Sequence, residues 1–386
     1  MPRTGHGFIL ALICVALVAG CGGGRHVRLS VTPAAALMDA PVHLTVAGLA
    51  SHEHVAVRDG KRSVELAADA AGRIDVTGTA SLRLLWLLDP RGAGRMTLDV
   101  LGTHTTITRL ARSPNLRMRL LRPKADGFYG DFFAPPQARE KPGILLFGGS
   151  EGGLSTTAEA ALYASHGYPT LALAYFGEQG LPPNLHRIPL EYFATALRWL
   201  ARQPGVDPAK LVVDGISRGS EAAQLLGMDY PQLVHAVIAM VPDNGSVCGI
   251  TPFTGKVGSA HCVGAAWTFD GKAVPYARFA GPANPYPFHD ERINGPVFLD
   301  CGGFDELWLS CPMAQAIASR LLARRFSHRV TFLDYPQAGH GVGSLLPYPP
   351  GRLSAALEGF NADSNPIADA NGRPRLLRFL RALADS

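Results

Sequence analysis

Leu211-Val212-Val213-Asp214-Gly215-Ile216-Ser217-Arg218-Gly219-Ser220-Glu221-Ala222-Ala223-Gln224-Leu225-Leu226 is the stretch whose reading decides the fold. An apolar strand runs into Gly-x-Ser-x-Gly, and a helical run begins directly after the serine. A serine on a sharp strand-to-helix turn is held in a strained backbone conformation, and flanking glycines let the turn pass close to neighbouring chain. The helix N-terminus favours negative charge developing beside Ser217. The pattern occurs twice, because Gly148-Gly149-Ser150-Glu151-Gly152 also fits. There Gly152-Gly153 delays any helix, so Ser217 is the candidate nucleophile. The second segment suits another task. Glycines let bare main-chain amides approach a reacting oxygen, and an amide after the third strand is one of two donors such a site needs. Gly149 is favoured for that donor, with Ser150 as runner-up, and the amide of Arg218 is the second. The competing reading of the Gly148–Gly153 run is a turn that only admits tight packing.

A serine nucleophile needs a base, and the base needs an orienting acid. Outward from the elbow, apolar strands alternate with helical stretches. The strands are Gly143 to Phe147, Pro169 to Tyr175, Lys210 to Asp214, Val234 to Val241, Pro296 to Cys301 and Val330 to Tyr335. The helices are Ala158 to Ser165, Leu190 to Arg202, Ser217 to Met228, Met313 to Arg324 and a closing one at Arg373 to Leu383. Met118 to Leu121 and Gly127 to Phe133 read as an opening hairpin. This alternation implies a mostly parallel sheet covered on both faces. Of the 13 histidines, His340 follows the last strand, in Ala338-Gly339-His340-Gly341. The acid belongs after the strand ending at Cys301. Asp305 is favoured there over Asp300, at the strand end, and over the adjacent Glu306. Residues 243–294 break the rhythm and are rich in Gly, Pro and aromatic residues; they read as a cap, or else as a solvent-facing insertion.

Before residue 117 the pattern differs. Candidate strands are Val27 to Val31, Val42 to Val46, Val55 to Val57, Arg73 to Val76, Leu82 to Leu88, Met96 to Leu101 and Thr105 to Thr108, parted by turn residues at roughly ten-residue spacing. They predict a small antiparallel sandwich over 27–116, followed by the larger unit over 117–386.

The N-terminus reads as a targeting segment. Arg3 precedes the apolar run Phe8 to Ala19, which is too short to span a bilayer. Leu17-Val18-Ala19-Gly20-Cys21 reads as a lipobox, with residues 1–20 a signal peptide, Cys21 lipidated and 21–26 a tether. An ordinary signal peptide containing a cysteine is the alternative. The lipobox places the mature protein on a membrane surface outside the cytoplasm, on the outer membrane or its periplasmic face in a Gram-negative host. In that oxidising compartment the even set Cys248, Cys262, Cys301 and Cys311 favours disulfides, taken as Cys248–Cys262 and Cys301–Cys311, against four buried thiols. Their spacing does not fit a zinc site, and no metal or cofactor is called for.

Composition agrees with a folded protein. The 386 residues are 47% hydrophobic and 17% charged, which argues against disorder. The net charge of +5 is scattered without a basic run, so nothing indicates nucleic-acid binding.

Taken together, these residues resemble the acyl-CoA thioesterase and bile acid-CoA:amino acid N-acyltransferase family. The resemblance runs through Val31-Thr32-Pro33, Asp39-Ala40-Pro41-Val42, Leu85-Trp86, Phe147-Gly148-Gly149, Ala172 to Phe176, Leu190 to Phe193, Gly215 to Glu221 and Tyr335 to His340. It implies an α/β-hydrolase domain preceded by an immunoglobulin-like β-sandwich. The family's nucleophile, acid and base fall on Ser217, Asp305 and His340. It also implies cleavage of acyl thioesters through an acyl-enzyme. A serine nucleophile looks like the family's hydrolytic type, and cysteine accompanies transfer to an amino acid. Transfer to an amine or alcohol, or hydrolysis of oxygen esters, are the alternatives. Coenzyme A esters are cytoplasmic, which sits in tension with export.

Overall fold

The computed structural model describes residues 26–136, 140–251, 261–347 and 357–385. Cys21 and residues 1–20, where a targeting segment is expected, lie outside them. The larger unit is built on eight strands: β1 (Arg117–Leu121), β2 (Tyr129–Ala134), β3 (Lys141–Phe147), β4 (Thr170–Ala174), β5 (Val206–Ile216), β6 (Ala236–Met240), β7 (Val297–Gly302) and β8 (Val330–Tyr335). Their spatial order is β1-β2-β4-β3-β5-β6-β7-β8. β2 pairs antiparallel with β1 and β4, and every other neighbouring pair is parallel. This is the α/β-hydrolase sheet.

Among the described residues, five helices cover it: α1 (Thr157–Ser165), α2 (Leu190–Leu200), α3 (Arg218–Asp229), α4 (Ser310–Ala323) and α5 (Ser364–Asp385). Side chains alternate across a strand, and the central strands are apolar on both faces because both are covered. Leu145, Phe147, Leu211 and Val213 join one core with Phe193 and Leu197 of α2, Leu225 of α3 and Ile317 of α4. Ile144, Leu146 and Val212 join the other with Ala160 of α1 and Leu376 and Phe379 of α5. The closing helix begins at Ser364, nine residues before the expected Arg373. Gly372 and Pro374 read as breakers in sequence, yet packing holds them inside the helix.

The N-terminal region is β-rich. A three-stranded sheet (Arg28–Thr32, His43–Ala47, Arg73–Val76) and a five-stranded sheet (Ala35–Leu37, Thr103–Leu110, Gly94–Val100, His54–Asp59, Arg62–Ala67) enclose Leu44, Val46, Val57, Leu98 and Ile107. The expectation of a strand at Leu82 to Leu88 is wrong: the chain is helical over Gly78–Leu88. Leu84, Leu85 and Leu88 pack into the sandwich core, and Leu82 and Trp86 pack against Leu162 and Ala370 of the larger unit. A helix buried on two sides has lost the polar face that would betray its period, so its apolar run cannot be told from a strand.

A buried ion cluster pins the two parts together. Asp39 lies 2.9 Å from Nε2 of His166 and accepts Nε of Arg373 at 3.0 Å. Burial alone would raise the Asp39 carboxyl, but Arg373 and His166 outweigh it and hold it at about 2. The Arg373 guanidinium also lies over the Tyr163 ring at 4.6 Å. Beside the cluster, Trp86 and Arg109 both donate to the carbonyl of Met38.

Segment 243–294 is not formless. Cys248–Ile250 pairs with Cys262–Ala265, and Trp267–Phe269 pairs in parallel with Ile188–Pro189 ahead of α2. These strands are too short to register as periodic. The segment packs against the first turns of α3.

Candidate active site

The site gathers where β5, β7 and β8 end. Ser217 separates β5 from α3 and has φ +56° and ψ −122°. That region costs a non-glycine residue on the order of 1–3 kcal/mol and persists only where surroundings over-determine it. Here they do. The Ser217 amide donates to the Met240 carbonyl of β6 at 3.0 Å, and Ser220 donates back to the Ser217 carbonyl at 2.8 Å. A Cβ on Gly215 would overlap the Gly219 carbonyl, and one on Gly219 would overlap the carbonyl of Gly148. Both glycines of the motif are therefore required by close approach.

The structure brings Ser217, His340 and Asp305 together. Nε2 of His340 lies 2.9 Å from Oγ of Ser217, and its Nδ1 lies 2.8 Å from Oδ2 of Asp305. With the ring proton on Nδ1, toward the carboxylate, Nε2 accepts from the serine hydroxyl. The second oxygen of Asp305 accepts the amides of Leu307 at 3.0 Å and Trp308 at 3.2 Å, which fixes the carboxylate's direction. Asp305 and His340 are buried, which strengthens their interaction. The Asp305 and His340 loops are tied to one another: Gly303 donates to the Tyr335 carbonyl and Phe304 to that of Ala338, both at 2.9 Å. Asp300 instead accepts the Val241 amide at 3.0 Å, and Glu306 is exposed.

Trp308 is a neighbour that sequence reasoning missed. Its ring meets His340 edge-on at 5.6 Å, and its indole N–H donates to the Val241 carbonyl at 3.1 Å. A tryptophan three residues past the acid carries no motif that would single it out.

One expectation needs correction. The Gly149 amide donates to Oε1 of Glu151 at 2.9 Å, and the same oxygen accepts from Oγ of Ser155 at 2.6 Å. A main-chain N–H has one hydrogen, so the Gly149 amide is committed to a carboxylate that sequence order could not assign to it. The loop still lies against Ser217, since a Cβ on Gly149 would come 2.8 Å from the Ser217 Cβ. The runner-up for that donor, Ser150, is the next residue on the same loop. The Arg218 amide opens α3 and has no acceptor within the helix.

The cysteines pair Cys248 with Cys262 and Cys301 with Cys311. The first bridge lies in the inserted segment and the second ties the end of β7 to the start of α4.

Beneath the site lie buried acids with other tasks. Asp214 accepts the Tyr163 hydroxyl at 2.7 Å, and burial, opposed by that bond and by Arg373, pushes its carboxyl up to about 7. A carboxyl raised this way stabilises the fold fully below its unfolded value of 3.8 and loses that contribution as pH rises through about 7. Asp214→Asn keeps an acceptor for Tyr163 and removes the ionisation. Its melting temperature is expected to exceed that of the wild type at pH 8, with the gap narrowing at pH 5. A gap independent of pH would contradict the assignment.

With this geometry in place, comparison with known proteins is informative. Residues 188–360 match the family model described as BAAT / Acyl-CoA thioester hydrolase C terminal. The matched stretch contains Ser217, Asp305 and His340. Human acyl-coenzyme A thioesterase 6 is 28% identical over 366 residues, covering 82% of this chain and 85% of its own. The mouse bile acid-CoA:amino acid N-acyltransferase is 26% identical over 377 residues, covering 84% and 88%. These alignments extend beyond the catalytic part into the β-rich region. Among solved structures, MGS-M1, an alpha/beta hydrolase enzyme from a deep-sea metagenome library, aligns with a TM-score of 0.48 at 17% identity, covering 71% of this chain and 100% of its own.

Proposed function

We propose that the protein is a serine acyl hydrolase that cleaves acyl thioesters or esters through an acyl-enzyme. The observation that carries this reading is the continuous Ser217–His340–Asp305 hydrogen-bond relay at the strand ends. Oγ of Ser217 attacks the acyl carbonyl carbon while Nε2 of His340 takes its proton. Asp305 holds the ring and stabilises its positive charge. The tetrahedral oxyanion is met by the Arg218 and Ser150 amides. Collapse breaks the bond to sulfur or oxygen, and His340 gives its proton to the leaving thiolate or alkoxide. Water, deprotonated by His340, then releases the acid and restores Ser217.

The relatives named for acyl-coenzyme A thioesterases support thioesters as the substrate class. The Leu17–Cys21 segment favours a second reading: a lipid-anchored, exported protein would meet oxygen esters rather than coenzyme A esters. Purified protein is to be assayed on acyl-coenzyme A and on p-nitrophenyl esters of matched chain length, with and without glycine or taurine as acceptor. Higher kcat/KM on thioesters supports the first reading and higher kcat/KM on oxygen esters the second. Product that requires the amine would replace hydrolysis by transfer. Anchoring is tested separately by labelling cells with a fatty acid probe, expected to mark the wild type and not Cys21→Ser.

A further inference from the structure

One buried carboxylate reaches both sides of the proposed oxyanion hole. Glu221 lies one turn after Ser217 and is fully buried. Its Oε1 pairs with Nε of Arg218 at 2.6 Å, and its Oε2 accepts Nη2 of Arg218 at 3.2 Å. The same Oε2 accepts the Trp267 indole N–H at 2.7 Å and the Ser246 hydroxyl at 3.3 Å. The Arg218 side chain does not point to solvent. Its guanidinium donates to the carbonyls of Val247 at 2.9 Å and Cys248 at 3.0 Å.

The second route runs through Trp267. Its ring is fully buried and packs 5.6 Å from that of Tyr175 and 6.1 Å from that of Phe193. The Tyr175 hydroxyl lies 2.9 Å from the carbonyl oxygens of both Gly148 and Gly149. These carbonyls belong to the peptide units on either side of the Gly149 residue, and the second of them carries the Ser150 amide.

We propose that Glu221 is a positioning residue for the oxyanion hole, holding the Arg218 main chain through its guanidinium and the Gly148–Ser150 loop through Trp267 and Tyr175. This rests on Ser217 being the nucleophile. A carboxylate that merely fastened the insertion to α3 would set stability and leave the chemistry of each folded molecule alone. A positioning residue sets transition-state stabilisation, because a displaced donor loses much of its effect on the oxyanion.

The test uses Glu221→Gln, which keeps an acceptor for Trp267 but removes the charge facing Arg218. Trp267→Phe is the second variant; it keeps the ring packing and removes the N–H, and so guards against a misfolded first variant. Active sites are counted with a fluorophosphonate, and kcat and KM are measured on p-nitrophenyl acetate per labelled site. The affinity of a trifluoromethyl ketone, which forms a tetrahedral oxyanion on the serine, is measured in parallel. Each variant is expected to lose roughly 10- to 100-fold in kcat with KM within about twofold. Ketone affinity should fall by the same factor as kcat/KM. Unchanged kcat per labelled site, or unchanged ketone affinity, overturns the positioning role alone. Failure of the wild type to label at Ser217 overturns the acyl-hydrolase reading and this proposal with it.

Discussion

Ser217→Ala is expected to lower kcat on its best acyl ester by about 10⁴-fold or more, with the melting temperature close to that of the wild type. Alanine removes the oxygen that forms the acyl bond. It also leaves the elbow backbone at a positive φ that the neighbouring strands and glycines enforce. Asp305→Asn is the companion experiment. Its amide would present an N–H toward Nδ1 of His340 and favour the tautomer whose proton faces Ser217, so a loss of about 10⁴-fold is expected there as well. Initial rates per mole of folded protein and mass spectrometry of the acyl-enzyme check both. An Ser217→Ala protein within tenfold of the wild type would remove Ser217 from the mechanism.

The second large effect concerns stability. Asp39→Ala leaves Arg373, fully buried, without its counter-charge, and breaking a buried pair from one side costs on the order of 3–5 kcal/mol. Asp39 belongs to the β-rich region, whereas His166 caps the end of α1 and Arg373 lies in α5. The loss should therefore appear as weakened docking between the two parts, read by denaturant unfolding and by proteolysis near residues 111–116. The pH dependence follows from the carboxyl's lowered value. Its contribution is complete above the unfolded value of 3.8 and is lost as pH falls through about 2, amounting to about 2 kcal/mol in all. A variant that loses less than about 1 kcal/mol at pH 7 would show that the cluster is not what holds the parts together.

The two effects differ in how far sequence could anticipate them. Ser217 stands out because a strand, a tight turn and a helix follow one another without interruption, and local order alone separates it from Ser150. His340 and Asp305 stand out by their places after late apolar strands. Asp39 has no such signal: 127 residues separate it from His166 and 334 from Arg373. Glu221 is visible only as a helical residue after the elbow, and its partners Ser246 and Trp267 come from a segment without legible periodicity. Gly149 shows the opposite failure. Its place suits an oxyanion donor, but the carboxylate of Glu151, two residues on, has taken its amide.

By itself, the amino-acid sequence determined the order of strands and helices in the larger unit, the elbow at Ser217 and the residue types of a nucleophile, base and acid. These are readable because apolar period, turn glycines and helix starts are properties of neighbouring residues. Only the tertiary structure decided that Gly78–Leu88 is a helix, that the Gly149 amide is engaged by Glu151, and that Glu221 and Asp39 carry buried ion networks. Those depend on burial and on partners far away in the chain, where the removal of water makes each pairing strong and local pattern says nothing about who the partner is.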